Sequence, residues 1–262
     1  MDSGIATSPS APVSPVAGTE HAGSDTMTTL QSLAATIVIA VFLITFAVQA
    51  FQIPSESMEK TLLIGDYLLV DKAHYANPGS FGWLLPYRPI KRQEIIVFRY
   101  PVNPQQHFVK RVIGIPGDHV RLVNKHVYVN GVKQPDEYAT FNWAVHDRFR
   151  DEFPNGGFFT DRIASKWFMQ AQRLMDDDQI IIPEGSYFVL GDNRDDSYDS
   201  RYWGLVPAEN VVGRPLIIYW SMDQAPSGPS DSSGSGKLST LAYSAIQSVK
   251  SLRWNRMFRI PN

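Results

Sequence analysis

Residues 107–131 read HFVKRVIGIPGDHVRLVNKHVYVNG. His107 to Ile115 and Val120 to Val129 are short apolar-rich runs of strand character between turn residues. A period of two sends successive side chains to opposite faces of a strand. Pro116-Gly117-Asp118 separates the two stretches, and Asn130-Gly131 after Val127-Tyr128-Val129 predicts a tight hairpin. Working outward, Tyr67 to Val70, Ile95 to Phe98, Ile180 to Ile182, Tyr187 to Leu190 and Pro215 to Trp220 have the same strand character. Residues 77–92 hold several Gly and Pro and read as a loop. Many short strands with frequent turns predict a mainly β domain over 52–223. Residues 132–182 are more aromatic and charged, and predict a subdomain inserted into it.

Ahead of the strands, no charged residue occurs from Met27 to Ser55, and residues 33–51 read LAATIVIAVFLITFAVQAF. At ~1.5 Å per residue, about 20 residues span a hydrocarbon core of roughly 30 Å. A helix apolar on every face suits lipid better than a soluble core, so a transmembrane helix is predicted over 29–51. A buried soluble helix is one alternative. A cleaved signal peptide ending at Val48-Gln49-Ala50 is another, but the run is long for one and lacks a cationic start. Residues 1–28, rich in Ser, Ala, Pro, Thr and Gly, predict a disordered tail. Neither flank is basic, so charge does not set the orientation.

The chain carries a net charge of −2, which gives no reason to expect nucleic acid. It has no cysteine, which removes disulfides, thiolate metal sites and a cysteine nucleophile together. Its six histidines are scattered with no close pair at ligand spacing. No metal or organic cofactor is expected. Residues 224–236 read as a flexible Ser/Gly/Pro linker. Residues 237–262 carry Lys237, Lys250, Arg253, Arg256 and Arg259 and no acid, with Leu238, Leu241, Ala242, Ala245, Val249 and Leu252 at helical spacing. That pattern predicts a basic amphipathic segment, either packed on the domain or lying on anionic lipid.

The chemistry-bearing residues are a serine and a lysine. Ser57 stands in Pro54-Ser55-Glu56-Ser57-Met58, just after the apolar run, and Lys110 stands in the strand Phe108-Val109-Lys110-Arg111-Val112-Ile113. A serine hydroxyl needs a base to take its proton, and no histidine is an obvious partner. A lysine can serve if it is neutral, and apolar burial lowers its pKa by up to ~3–5 units. Alternation puts Phe108, Lys110 and Val112 on one strand face. The plainer alternative is a surface lysine on an edge strand. Lys60, three residues from Ser57, is a rival base.

Three blocks in this order, behind an apolar run, resemble the bacterial type I signal peptidases. They are Ser55-Glu56-Ser57-Met58 continuing through Thr61 to Val70, Lys110-Arg111-Val112-Ile113-Gly114-Ile115-Pro116-Gly117-Asp118, and Gly191-Asp192-Asn193-Arg194-Asp195-Asp196-Ser197 continuing to Gly204. The resemblance covers roughly 50–220, apart from much of 132–180. It implies an antiparallel β catalytic domain behind one N-terminal transmembrane helix. By motif position, Ser57 would be the nucleophile and Lys110 the general base. The Ser57 N–H and the Ser55 hydroxyl would form an oxyanion hole, and Ser197 would orient the lysine amine. Asp192, Arg194, Asp199 and Arg201 would support the site, although such a run by itself reads as a solvated turn.

The family cleaves after small residues in an Ala-x-Ala pattern, with the peptide extended. Matching positions imply that Ile53, Met58, Leu62, Phe108 and Val109 shape shallow pockets, with Phe51 and Val97 at a second pocket. Plain core is the alternative for all seven. Two positions depart from the family pattern: Lys60 stands where proline is usual, and Gln93-Glu94 where Gly-Asp is frequent. The implied function is removal of signal peptides from exported preproteins at the bacterial cytoplasmic membrane. The enzyme would be single-pass, with its catalytic domain extracytoplasmic. Its implied partners are signal peptides, membrane lipid and the protein-export machinery. A non-catalytic, membrane-anchored β module that binds extended peptides is the rival of a different class.

Overall fold

The computed structural model describes residues 22–42, 47–75, 87–154, 163–223 and 251–262, which fall into two units, Met1–Leu43 and Ile44–Asn262. In the first, α1 (Ala22–Phe42) is a single helix. Ile37, Val38, Ile39, Val41 and Phe42 near its end are each more than half exposed. The Ser32 and Thr36 hydroxyls donate to the carbonyls of Thr29 and Ser32, at 2.9 and 2.8 Å, so neither needs a partner outside the helix. Among the described residues, no helix is long and apolar enough to cross a membrane.

The predicted span over 29–51 is therefore not one continuous helix. It starts earlier, at Ala22. That start falls inside the predicted disordered tail, whose residues before Ala22 lie outside the described residues. So do residues 43–46. Val48–Gln52 forms strand β1 instead. The reason is the partner: five consecutive residues of β1 pair with β2 (Asp66–Asp71), from Val48 opposite Asp71 to Gln52 opposite Tyr67.

The second unit holds two antiparallel sheets. The first contains β1, β2, β3 (Ile95–Arg99), β4 (His107–Gly114), β10 (Ser186–Leu190), β11 (Val206–Pro207) and β12 (Val211–Ser221), in the order β1-β2-β12-β3-β4-β10-β11. The second contains β5 (His119–Val123), β6 (His126–Val129), β7 (Val132–Lys133), β8 (Met175–Asp176) and β9 (Gln179–Ile181), in the order β7-β6-β5-β9-β8. The apolar run Ile95–Phe98 lacks polar alternation because both its faces are covered. Ile96 and Phe98 enter the larger core, while Ile95 and Val97 enter a smaller one with Ile53, Met58, Leu62, Leu68, Val70 and Ile218. Gly213 marks the place where β12 leaves β3 for β2. A Cβ there would sit 1.9 Å from the Asp71 carbonyl oxygen.

The Asn130-Gly131 turn forms as predicted, with Val129 opposite Val132. Val120–Val129 is not one strand. Asn124 and Lys125 both take positive φ (49° and 70°) and fold it into the β5–β6 hairpin. The predicted insertion is not a separate body either. Its β7, β8 and β9 complete the sheet begun by β5 and β6, while α2 (Arg148–Asp151) and α3 (Ser165–Leu174) pack on the larger core.

The described part of the basic C-terminal segment, 251–262, is not an amphipathic helix. It is a strap along β12, bridging at Met222–Leu252 and Ile218–Arg259, with one 3-10 turn at Trp254–Arg256. Two of its three arginines, Arg253 and Arg256, turn inward because the buried Asp66 carboxylate needs them: Arg256 Nη2 donates to Asp66 Oδ2 at 2.6 Å, while Arg259 stays exposed. The 224–236 linker and residues 237–250 lie outside the described residues.

Candidate active site

Strand β4 delivers Lys110 to the interior. Its side chain is 4 % exposed, and Val112, two residues on, is in the core. Opposite it, Glu56–Met58 forms a 3-10 turn after extended Ser55 (φ −137°, ψ 159°). The turn points the Ser57 hydroxyl at the lysine: Lys110 Nζ and Ser57 Oγ are hydrogen-bonded at 2.6 Å. The Ser55 hydroxyl lies on the same side, 3.4 Å from Ser57 Oγ. Burial pushes the Lys110 amine down to about 8 from its ordinary 10.5. The charges of Asp199 and Asp192 oppose that shift, and Arg201 adds to it.

The loop after β10 closes over this pair. The Asn193 N–H donates to the Ser57 carbonyl at 3.1 Å. Gly191 is required here by close approach, since a Cβ would lie 2.2 Å from Ser197 Oγ and 2.4 Å from the Ser57 carbonyl oxygen. Asp192 takes a two-pronged bond from Arg111 (2.8 and 2.7 Å) and a third from the Thr61 hydroxyl (2.6 Å). Asp199 caps α4 (Ser200–Trp203) and is held by the Arg201 guanidinium at 2.8 Å from both donors and by the Gly191 N–H. Burial alone would raise the Asp199 pKa, but Arg201 and these hydrogen bonds hold it below the ordinary carboxylate value. The two buried carboxylates are thus matched by two buried arginines, and the lysine is left without a carboxylate of its own.

Arg194 is almost wholly buried, donates to the Gly191 carbonyl and lies 5.7 Å from the Tyr138 ring, which stacks on Arg111 at 4.0 Å. Ser197 is buried beside Gly191. Its hydroxyl makes no hydrogen bond of ordinary geometry, although it sits near enough to Asp199 to favour that carboxylate's charged form. No Ser197–Lys110 hydrogen bond occurs in this geometry. Part of the predicted insertion serves this loop directly. Thr140 N–H donates to the Asp192 carbonyl, Arg194 N–H to the Thr140 carbonyl, and Trp143 N–H to Asp195 Oδ2.

Residues 26–220 match the family model described as signal peptidase, peptidase S26. A signal peptidase I of Pseudomonas fluorescens is 35% identical over 211 residues, covering 70% of this chain and 68% of that one. One from Aquifex aeolicus is 33% identical over 217 residues, covering 71% and 81%. A solved signal peptidase I from Enterococcus faecalis is 32% identical, covering 48% of this chain and 97% of its own, with a TM-score of 0.37. The chain belongs to the bacterial type I signal peptidases. It is a serine peptidase of that family.

Among the signal-peptidase motif positions, Ser55, Ser57 and Lys110 share a cleft of about 460 Å³ with Phe51, Ile53, Met58, Phe108 and Val109. Leu62 and Val97 do not line it. Both have no exposed surface and belong to the smaller core, where Leu62 is turned inward below Met58. Sequence reasoning missed His107, Asp196 and Tyr198 on the cleft wall. His107 packs on Phe51 with ring centroids 5.2 Å apart. It also missed Arg111, although that residue stands beside Lys110 in the motif. Its bond to Asp192 joins positions 81 apart, a separation no local pattern displays.

Lys60, the rival base, is exposed and donates to the Glu137 carbonyl, away from Ser57. Its φ is +79°, and Thr61 N–H closes a turn on the Met58 carbonyl at 3.1 Å. Glu59 (φ −48°, ψ 148°) and Lys60 thus take the two central positions of a type II-like turn, which favours glycine at the second. Proline, usual at this position in signal peptidases, cannot adopt that φ. Lys60→Gly is therefore expected to keep activity and to be tolerated or mildly stabilising, by up to about 1 kcal/mol. Lys60→Pro should lose stability, by about 2 kcal/mol or more. Thermal denaturation of both variants checks the pair; a neutral Lys60→Pro would contradict the turn.

Proposed function

We propose that the chain is a membrane-anchored serine endopeptidase that removes signal peptides from exported preproteins, cleaving after the second Ala of an Ala-x-Ala site. The observation that carries it is the 2.6 Å contact between Lys110 Nζ and Ser57 Oγ, buried at the end of an apolar cleft. Near pH 8 and above, the neutral amine takes the Ser57 proton as Oγ attacks the scissile carbonyl. Charge then develops on the carbonyl oxygen, where the Ser57 N–H and the Ser55 hydroxyl would meet it. The protonated amine returns its proton to the departing amide nitrogen, which leaves an acyl-enzyme on Ser57. Lys110 next takes a proton from water as the water oxygen attacks the ester carbonyl, and gives that proton to Ser57 Oγ as the acyl bond breaks and frees the signal peptide. Asp192, Arg194, Asp199 and Arg201 act from outside the reacting atoms by fixing the loop over the dyad. Ser197 would steady the amine through a small rotation toward it.

An extended peptide shows alternate side chains to the enzyme, and the walls of Phe51, Ile53, Met58, Phe108 and Val109 leave shallow space for small ones. The exposed apolar side chains in the second half of α1 support anchoring in lipid, since the Ser32 and Thr36 hydroxyls are satisfied within the helix. The catalytic unit would lie on the extracytoplasmic side, where cleavage sites emerge beside the export machinery.

The test is incubation of the detergent-solubilised chain with a preprotein bearing an Ala-x-Ala site, followed by N-terminal sequencing of the product. Cleavage after the second Ala, absent in Ser57→Ala, is expected; a folded but inert wild type would contradict the proposal and favour the peptide-binding module. Ser55→Ala should lower kcat about 10²–10³-fold with little change in KM, because an oxyanion donor acts mainly in the transition state. Equal loss in both parameters would argue that Ser55 contacts the ground-state peptide instead.

A further inference from the structure

The strap 251–262 touches both halves of the site. Arg256 Nη2 donates to the Thr61 carbonyl at 2.9 Å and to Asp66 Oδ2 at 2.6 Å, and its Nε to Asp66 Oδ1 at 3.2 Å. Arg253 donates to the Ile64 carbonyl at 2.5 Å, the Met222 carbonyl at 2.8 Å and the Ser221 hydroxyl at 2.9 Å. Asp66 is fully buried and also accepts from Leu63 N–H and the Ser221 hydroxyl. Two otherwise open carbonyls of the 61–65 turn are thus closed from below by arginines distant in sequence.

That turn is continuous with Ser57, because Thr61 N–H and Leu62 N–H bond back to the Met58 carbonyl at 3.1 and 2.8 Å. On its other side, the Thr61 hydroxyl holds Asp192, Asp192 holds Arg111, and Arg111 Nη2 donates to the Asn262 carbonyl at 3.2 Å. Arg111 follows Lys110 directly on β4. The contacts close a ring from Arg256 through Thr61, Asp192 and Arg111 to Asn262, six residues further along the same strap. A segment that only covered an apolar edge would not need to end on both chain segments that bear the reacting pair.

We infer that residues 251–262 are a positioning strap that sets the Ser57 turn against the Lys110 strand, with Arg253 and Arg256 as its positioning residues. The inference rests on the Ser57–Lys110 reading above. No strap residue lines the cleft, so its loss acts on geometry between the reacting atoms and leaves peptide binding in place. Misplacement by a fraction of an ångström to 1 Å costs about 10–100-fold in rate.

Two variants test it: Arg256→Gln, and deletion of Asn262 alone, which removes the contact to Arg111, keeps the buried Pro261 and leaves both arginines beside Asp66. Each is assayed on the preprotein at least ~15 °C below its own measured Tm. The expected result is a kcat lowered about 10-fold or more, with KM within about twofold of wild type, in both. Wild-type kcat in folded Arg256→Gln overturns the inference, as does a loss confined to KM. If Arg256→Gln does not fold, the deletion variant decides by the same two criteria. Ser57→Ala runs alongside: if it retains wild-type turnover, the dyad reading itself fails and the strap's role falls with it, whereas an inert Ser57→Ala with fully active strap variants removes the strap alone.

Discussion

Lys110→Met is expected to abolish turnover and, at neutral pH, to make the folded chain more stable. Methionine nearly matches the apolar stem of lysine but carries no amine, so Ser57 keeps its hydroxyl proton. Loss of a general base costs about 10²–10⁴-fold. The stability gain follows from burial. In the folded state the Lys110 pKa is depressed to about 8 against 10.5 in its ordinary environment. Below about pH 8 both folded and unfolded chains carry the proton, and the folded chain bears the full cost of a buried charge. Between about 8 and 10.5 the unfolded chain holds more protons than the folded one, so wild-type stability rises with pH. A shift of that size corresponds to roughly 3 kcal/mol at ~1.4 kcal/mol per unit. The lost hydrogen bond to Ser57 subtracts about 1 kcal/mol, leaving a net gain on the order of 2 kcal/mol at pH 7. Urea denaturation at pH 7 and pH 10 checks it. A variant less stable than wild type at pH 7, with the pH slope unchanged, would mean that Lys110 is already solvated.

Gly191→Ala is expected to lower both stability and turnover. The added carbon would lie 2.2 Å from Ser197 Oγ, 2.4 Å from the Ser57 carbonyl oxygen and 2.5 Å from Ser197 Cβ. One of these contacts is backbone of the turn that carries the reacting hydroxyl, so relief by rotating a side chain is insufficient. Either the Ser57 turn or the 191–200 loop must move, and the second is pinned by Gly191 N–H on Asp199 and Asn193 N–H on the Ser57 carbonyl. Overpacking of this kind costs about 1–3 kcal/mol. A displacement near 1 Å at the dyad costs about 10²-fold in kcat. Denaturation and initial rates measured on the same preparation should show both losses. A fully active Gly191→Ala would mean that the loop does not close on Ser57 as described.

The strands were legible where a single face is buried. Val127-Tyr128-Val129 with Asn130-Gly131 carries its hairpin in local chemistry alone, and Lys110 among apolar neighbours signals an inward-facing amine. Legibility failed where tertiary pairing outweighs composition. Val48–Phe51 continues an apolar run that reads as helix, but a waiting partner strand draws it into the sheet. Asn124-Lys125 gives little turn signal, yet both residues take positive φ. Arg253 and Arg256 look like a lipid-facing basic pattern, because the buried acid they serve, Asp66, lies nearly two hundred residues away. Leu62 carries a motif position's expectation of a pocket wall and is instead core, since the turn after Ser57 faces it inward. The charged run Asp192–Arg201 reads locally as solvated loop. Its burial becomes visible only once Arg111 and Arg201 are placed against its carboxylates.

The most direct measurement is acylation of the wild-type chain and of Lys110→Met by a serine-reactive β-lactam or activated ester across pH 6–10, with the adduct mapped by mass spectrometry. The dyad predicts one adduct, on Ser57, formed at a rate that climbs through about pH 8 in wild type and stays near background at every pH in Lys110→Met. An adduct on another residue, or equal labelling of Ser57 in Lys110→Met, would contradict it.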